Sequence, residues 1–123
     1  LPCSLVSLSL VDCKLPDDAF PRDLSNLSLL KNLNLSENPI CGLPDCIKGF
    51  NRLQKLDLDS CTKLQSLVGL PPVEKLIVSD CTLLEKITFL TPLIMFGRII
   101  HGGTNKLVEV PNQFKLEPIG KVD

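Results

Sequence analysis

The chain has 123 residues, of which 13 are basic and 14 acidic, for a formal net charge of −1. That length suits one compact unit, and the balanced charge supplies no field that would favour nucleic acid or an anionic membrane as partner. With no Trp, no Tyr and five Phe against an apolar fraction of 44%, Leu and Ile must fill the core, as in a repeat with a fixed Leu pattern.

The first apolar stretch, Leu1 to Leu15, reads L-x-x-L-x-L and is not an unbroken apolar run. It therefore predicts neither a signal peptide nor a membrane span. Because the chain opens mid-pattern and without Met, we expect a piece of a longer protein. Leu5, Leu8, Leu10, Cys13 and Leu15 spell L-x-x-L-x-L-x-x-C-x-L. The template returns at Leu30, Leu33, Leu35, Asn38 and Ile40, at Leu53, Leu56, Leu58, Cys61 and Leu64, and at Val73, Leu76, Val78, Cys81 and Leu84. A weaker copy runs through Phe96, Ile99, His101, Thr104 and Leu107. Starts about 20 to 25 residues apart fit leucine-rich repeats, so about five copies over residues 1–110 are expected, with 111–123 as a post-repeat tail leading to a missing C-terminal domain.

The alternation within each L-x-L predicts a short strand with one face buried, and stacked copies predict parallel strands on a concave face. The Cys or Asn slot marks the turn away from the strand, where a buried side chain can bond free backbone groups. Asn38 can donate twice and accept, whereas a thiol is a weak donor. Cys13, Cys61 and Cys81 share this slot, so they read as buried thiols rather than a disulfide framework. With no C-x-x-C pair and a single His, His101, zinc is not expected. The first two return arms, around Ala19-Phe20-Pro21 and Leu43-Pro44-Asp45-Cys46-Ile47, predict a helical turn. The third contains Pro71-Pro72 and predicts an extended arm. The fold class expected is α/β: a leucine-rich-repeat solenoid with irregular or short helical outer arms. His101 falls on an inward strand position, where we expect it to meet water or a backbone carbonyl rather than act as a ligand or proton switch.

The stretches Leu53–Leu67 (LQKLDLDSCTKLQSL) and Leu70–Cys81 (LPPVEKLIVSDC), with proline-rich short arms, resemble the leucine-rich-repeat region of plant intracellular immune receptors. The most similar class carries a Toll/interleukin-1-receptor domain, then a nucleotide-binding domain, then the repeats. Residues 105–110 (NKLVEV) and 114–119 (FKLEPI) resemble the end of that region. The resemblance implies a disease-resistance sensor of the cytoplasm, with the nucleus as a second compartment, that recognises pathogen effectors and restrains receptor activation. It also implies ADP/ATP switching, but only in a nucleotide-binding domain of a longer parent chain. No G-x-x-x-x-G-K-[ST] occurs here, so no cofactor is expected in this segment. The first arm lacks the family's L-P-x-x-I wording, and the fifth copy has lost Leu residues.

A protein is the expected partner, and the polar positions flanking the buried strand residues should meet it. One column reads Ser7, Asn32, Lys55, Lys75, Arg98, and the next Ser9, Asn34, Asp57, Ile77, Ile100. A third reads Val11, Ser36, Asp59, Ser79, Gly102. Lys55, Lys75 and Arg98 would form a cationic ladder, partly offset by Asp57 and Asp59, beside outward-pointing Ile77 and Ile100. The binding strip expected is Lys55, Asp57, Lys75, Ile77, Arg98 and Ile100. A ubiquitin-ligase adaptor would have more regular and more helical repeats. An extracellular ectodomain would suit the sequons at Asn26 and Asn34, but Asn34 falls on the concave strand. No metal cluster or nucleophile motif points to an enzyme.

Overall fold

The computed structural model describes residues 4–16, 20, 24, 26–90, 98–107 and 115–118. Wherever the sequence alternates apolar and polar residues, the chain is a short strand. The strands are β1 (Ser7–Ser9), β2 (Asn32–Asn34), β3 (Lys55–Asp57), β4 (Ser66–Leu70), β5 (Lys75–Ile77), β6 (Lys86–Phe89), β7 (Arg98–His101) and β8 (Lys115–Pro118). Six of them form one parallel sheet in the order β1-β2-β3-β5-β7-β8, and β4 and β6 form a second parallel pair. The molecule is thus a parallel-sheet solenoid. The turns leading from β2 to β3 and from β3 to β5 are described throughout. β8 continues the sheet into the segment set apart as a tail, and the expected boundary at residue 110 lies outside the described residues.

The central strand residues Leu33, Leu56, Leu76 and Ile99 pair across the sheet in a single register and are all buried. Behind them lie further buried rows, Leu35, Leu58 and Val78, then Ile40, Leu64 and Leu84, then Leu67 and Ile87. Burying one such side chain contributes roughly 1.5–3 kcal/mol, so the repetition of apolar rows is the main stabilising term.

The α-helical component of the α/β expectation is not confirmed, whereas the turn expected in the second arm forms. Among the described residues the one named helical segment is a 3-10 turn, Asp45–Ile47. Pro44 precedes it with φ −61°, Ile47 is buried, and Ile47, Lys48 and Phe50 donate to carbonyls three residues back. The Lys48–Asp45 ion pair (3.3 Å) beside this turn is exposed and adds little. The third arm is extended, as the two prolines predict, and it becomes β4. β4 pairs with β6 of the next arm through a register break between Leu67 and Leu70. Gly69 takes φ +76° at that break and donates its N–H to the Thr88 hydroxyl at 3.2 Å. Of the first arm, Ala19 and Pro21 lie outside the described residues.

The slot after each strand ties the copies together. Asn38 Nδ2 donates to Leu10 O (2.8 Å) in the preceding copy and to Leu35 O (2.9 Å) in its own, while Oδ1 accepts from Cys13 N (3.2 Å) and Leu15 N (3.0 Å). The thiols do a reduced version of the same work: Cys61 Sγ donates to Leu35 O (3.4 Å) and Cys81 Sγ to Leu58 O (3.0 Å). Cys13 corrects the expectation of a buried thiol. It is exposed on the edge copy, and among the described residues its Sγ donates to Val11 O within its own turn. Cys13, Cys46, Cys61 and Cys81 are free thiols. Thr104 fills the slot at β7 and bonds His101 Nδ1 at 3.3 Å, so the half-buried imidazole meets a hydroxyl.

Immediately before the slot, each copy has one residue in the left-handed region: Asp12, Glu37, Ser60, Asp80 and Gly103, with φ between 50° and 69°. This reversal aims the next side chain inward, and in four copies the backbone N–H of that residue donates to the following copy, as Ser60 N does to Ser79 O (2.7 Å). Four of the five are not glycine, at a cost of roughly 1 kcal/mol each, which the inter-copy bonds offset.

Two outcomes follow for stability. Asn38→Ala takes the side-chain partner from Leu10 O and from the Cys13 and Leu15 amides and leaves Leu35 O only the weak Cys61 thiol, and should lower the unfolding free energy by about 3 kcal/mol, read from the urea midpoint. Burial pushes the Cys81 thiol up from 9.0 to about 12, with Cys61, Asp59 and Asp80 adding in the same direction and a backbone hydrogen bond opposing. The folded protein therefore holds this proton to higher pH than the unfolded chain. Its contribution is complete below pH 9.0 and is lost as pH rises toward about 12. Urea titrations across that window should show stability falling, and Cys81→Ala, though less stable at neutral pH, should flatten the fall.

Candidate functional site

The polar neighbours of the buried strand residues form the free face of the six-stranded sheet. Strand pairing sets Ser7, Asn32, Lys55, Lys75 and Arg98 side by side, with Lys115 of β8 next in register. It sets Ser9, Asn34, Asp57, Ile77 and Ile100 in the adjoining column. All six residues expected in the binding strip therefore lie together on β3, β5 and β7. Arg98 is exposed, and the other five are half-buried. Ile77 and Ile100 thus show only part of their apolar surface.

The face divides into two chemically different parts. Over β1 to β3 it is knitted by uncharged groups and one carboxylate. Asn32 Nδ2 donates to Ser7 Oγ (3.1 Å). Asn34 Oδ1 accepts from Ser36 N (3.0 Å), and Asp57 Oδ1 accepts from Asp59 N (3.1 Å), so each caps the turn leaving its own strand. The Ser36 hydroxyl sits between them, 2.6 Å from Asn34 Oδ1 and 2.9 Å from Asp57 Oδ1, and accepts from Asp59 N at 3.1 Å. Asp57 is therefore held by the fold rather than by the neighbouring lysines. No ion pair joins Lys55 or Lys75 to Asp57 or Asp59 among the described residues, so the offset expected from those carboxylates is not made as contact pairs. A hollow of about 290 Å³, lined by Ser7, Leu8, Ser9, Asn32, Leu33, Asn34, Lys55 and Asp57, lies over this part.

Over β5 and β7 the turn cap is absent, because Ile77 and Ile100 replace the Asn and Asp acceptors. One consequence is that Ser79 Oγ, in the position of Ser36, is buried with no hydrogen-bond partner among the described residues. Here the face is cationic on one side and apolar on the other. A second hollow, of about 440 Å³, opens among Asn32, Gln54, Lys55, Glu74, Lys75 and Arg98 at the entry ends of the strands. Glu74, at its rim, escaped the sequence reading, which placed Ser79 in the third outward column without its burial. The Ser79 signal was readable as an S-D-C turn whose strand lacks an Asn or Asp two residues before the serine.

Parallel strands stacked through a Cys/Asn slot are the arrangement that a leucine-rich-repeat pattern requires. The family model for the Leucine Rich Repeat matches residues 29–50. Over 69 residues, 56% of its length, the chain is 44% identical to TMV resistance protein N of Nicotiana glutinosa, so the repeats are similar to those of a plant resistance protein. The match spans 6% of that relative's length. No solved structure matches. Among the described residues no helix is long and apolar enough to cross a membrane.

The two serines give a direct check on the division of the face. Ser79→Ala removes a buried hydroxyl that has no partner and should stabilise the chain by about 1 kcal/mol. Ser36→Ala breaks the cap between β2 and β3 and should destabilise it by roughly 1–2 kcal/mol, both read by urea denaturation. Equal effects of the same sign would contradict the division.

Proposed function

We propose that this chain is the recognition part of a plant disease-resistance receptor, sensing a pathogen effector or a guarded host protein and restraining activation by contact with the receptor's own nucleotide-binding domain. The observation that carries the reading is the 44% identity to a resistance protein on a solenoid whose free face is built from unlike columns. Single residues on such a face can change without disturbing the core, because alternate strand residues point to opposite sides. The recognition strip is Lys55, Asp57, Lys75, Ile77, Arg98 and Ile100, with Asp57 contributing through the turn it caps. About five repeats over 1–110 supply the face, and the remainder leads to a further domain. ADP and ATP act in the nucleotide-binding domain of the parent chain, in the cytoplasm and the nucleus.

The full transcript tests this first. A phosphate-loop module upstream of Leu1 is the expected outcome, whereas an F-box or a signal peptide with a distal membrane span overturns the reading. In the full-length receptor expressed in leaf tissue, Lys75→Glu combined with Ile77→Ser should change effector-triggered cell death, either abolishing it or releasing it without the effector, at unchanged protein level. Unaltered signalling would remove the strip from the recognition surface.

A further inference from the structure

The strip has a definite pitch and a definite order of chemistry, and together they select a kind of partner. Lys55 and Lys75 stand on adjacent hydrogen-bonded strands, with Arg98 on the next, so the cationic column repeats at the strand spacing of about 4.8 Å. Ile77 and Ile100 form the neighbouring column, two residues further along the same strands, about 6.7 Å away. Reading across β5 and β7, a partner meets cations first and apolar surface second. Among the described residues Asp57 makes no contact pair with Lys55 or Lys75; its Oδ1 accepts from the Asp59 amide and lies close to the Ser36 hydroxyl.

An extended peptide lying across the strands presents same-side residues about 6.7 Å apart, so it drifts out of step with the column after one rung. An α-helix lying the same way presents residues i, i+3 and i+7 at about 0, 4.5 and 10.5 Å along its axis, close to the rungs at about 0, 4.8 and 9.6 Å. Its adjoining face then falls over the isoleucine column. We infer that β3, β5 and β7 form a docking surface for an amphipathic helix of a partner protein, carrying carboxylates at i, i+3 and i+7 for Lys55, Lys75 and Arg98 and apolar residues alongside for Ile77 and Ile100. This names the chemistry of the partner and rests on the recognition role proposed above.

The probe is a fluorescein-labelled alanine-based helical peptide with Glu at i, i+3 and i+7 and Leu on the neighbouring face. It is compared with its Gln counterpart and followed by anisotropy against the 123-residue chain. The Glu peptide should bind about tenfold tighter than the Gln peptide, and this advantage should shrink between roughly 50 and 300 mM salt. Lys75→Glu should lower its affinity about tenfold, while Lys63→Glu, the same charge change at an exposed turn, should stay within about twofold. Ile77→Ser should weaken both peptides equally. Circular dichroism of each variant confirms that the sheet persists. Equal binding of the two peptides, equal effects of Lys75→Glu and Lys63→Glu, or no binding of either peptide overturns the helix proposal. In each of these cases a signalling change from the Lys75/Ile77 variant of the full receptor leaves the recognition reading standing.

Discussion

The whole structure depends on one requirement: backbone groups at the end of each short strand must be satisfied from a neighbouring copy. A three-residue strand satisfies few of its own, and the turn that follows leaves carbonyls facing inward, where water does not reach. The slot side chain answers this by donating backwards, Asn38 to Leu10 O, Cys61 to Leu35 O and Cys81 to Leu58 O. The left-handed residue just before it answers forwards, through its amide to the next turn. A copy is therefore incomplete alone and becomes stable only between two others, as expected of a quasi-one-dimensional fold. The exposed Cys13 shows the other side of the same rule. At the edge of the sheet its thiol bonds within its own turn and contributes nothing between copies.

The strengths of these links differ along the chain. Asn38 both donates and accepts across to the preceding copy, at 2.8 to 3.2 Å, whereas the thiols offer one weak donor each. The Cys copies compensate elsewhere. Their arms are flat enough for β4 and β6 to pair, which adds a second hydrogen-bonded seam behind the core. The Asn copy has a 3-10 turn in that position, and the Gln65 amide, just before β4, donates to Cys41 O of its arm. The copy with the strong slot thus has a plain arm, and the two consecutive copies with weak slots have paired arms.

Much of this was legible in the sequence because the core obeys a fixed spacing. The L-x-x-L-x-L template located β1, β2, β3, β5 and β7 and gave the column neighbours that pairing reproduces, down to Lys75 beside Lys55 and Ile100 beside Ile77. Pro71-Pro72 correctly announced an extended arm. Features that depend on backbone conformation were not legible. Glu37 and Ser60 carry no signal of a left-handed φ, because residue type favours that region only for Gly, Asn and Asp. The β4–β6 pair was missed because the arm pattern is too short to separate strand from loop. The role of Asp57 was missed for a related reason: its position in the column suggested a surface charge, but the turn it caps is visible only once Asp59 folds back on it.

The division of the free face follows from the same turn chemistry. Where Asn34 and Asp57 occupy the second column, the column is occupied by the fold's own hydrogen bonds and the Ser36 hydroxyl is partnered. Where Ile77 and Ile100 replace them, the cap is lost, the Ser79 hydroxyl is left without a partner, and apolar surface appears next to Lys75. A buried hydroxyl without a bond costs roughly 1–3 kcal/mol. Stability alone would favour an Asn or Asp at those two positions, as in the preceding copies. The isoleucines therefore weaken the turn while giving the strip an apolar edge. That local conflict, in a chain whose other columns agree with the fold, marks β5 and β7 as the part of the face shaped by something other than folding.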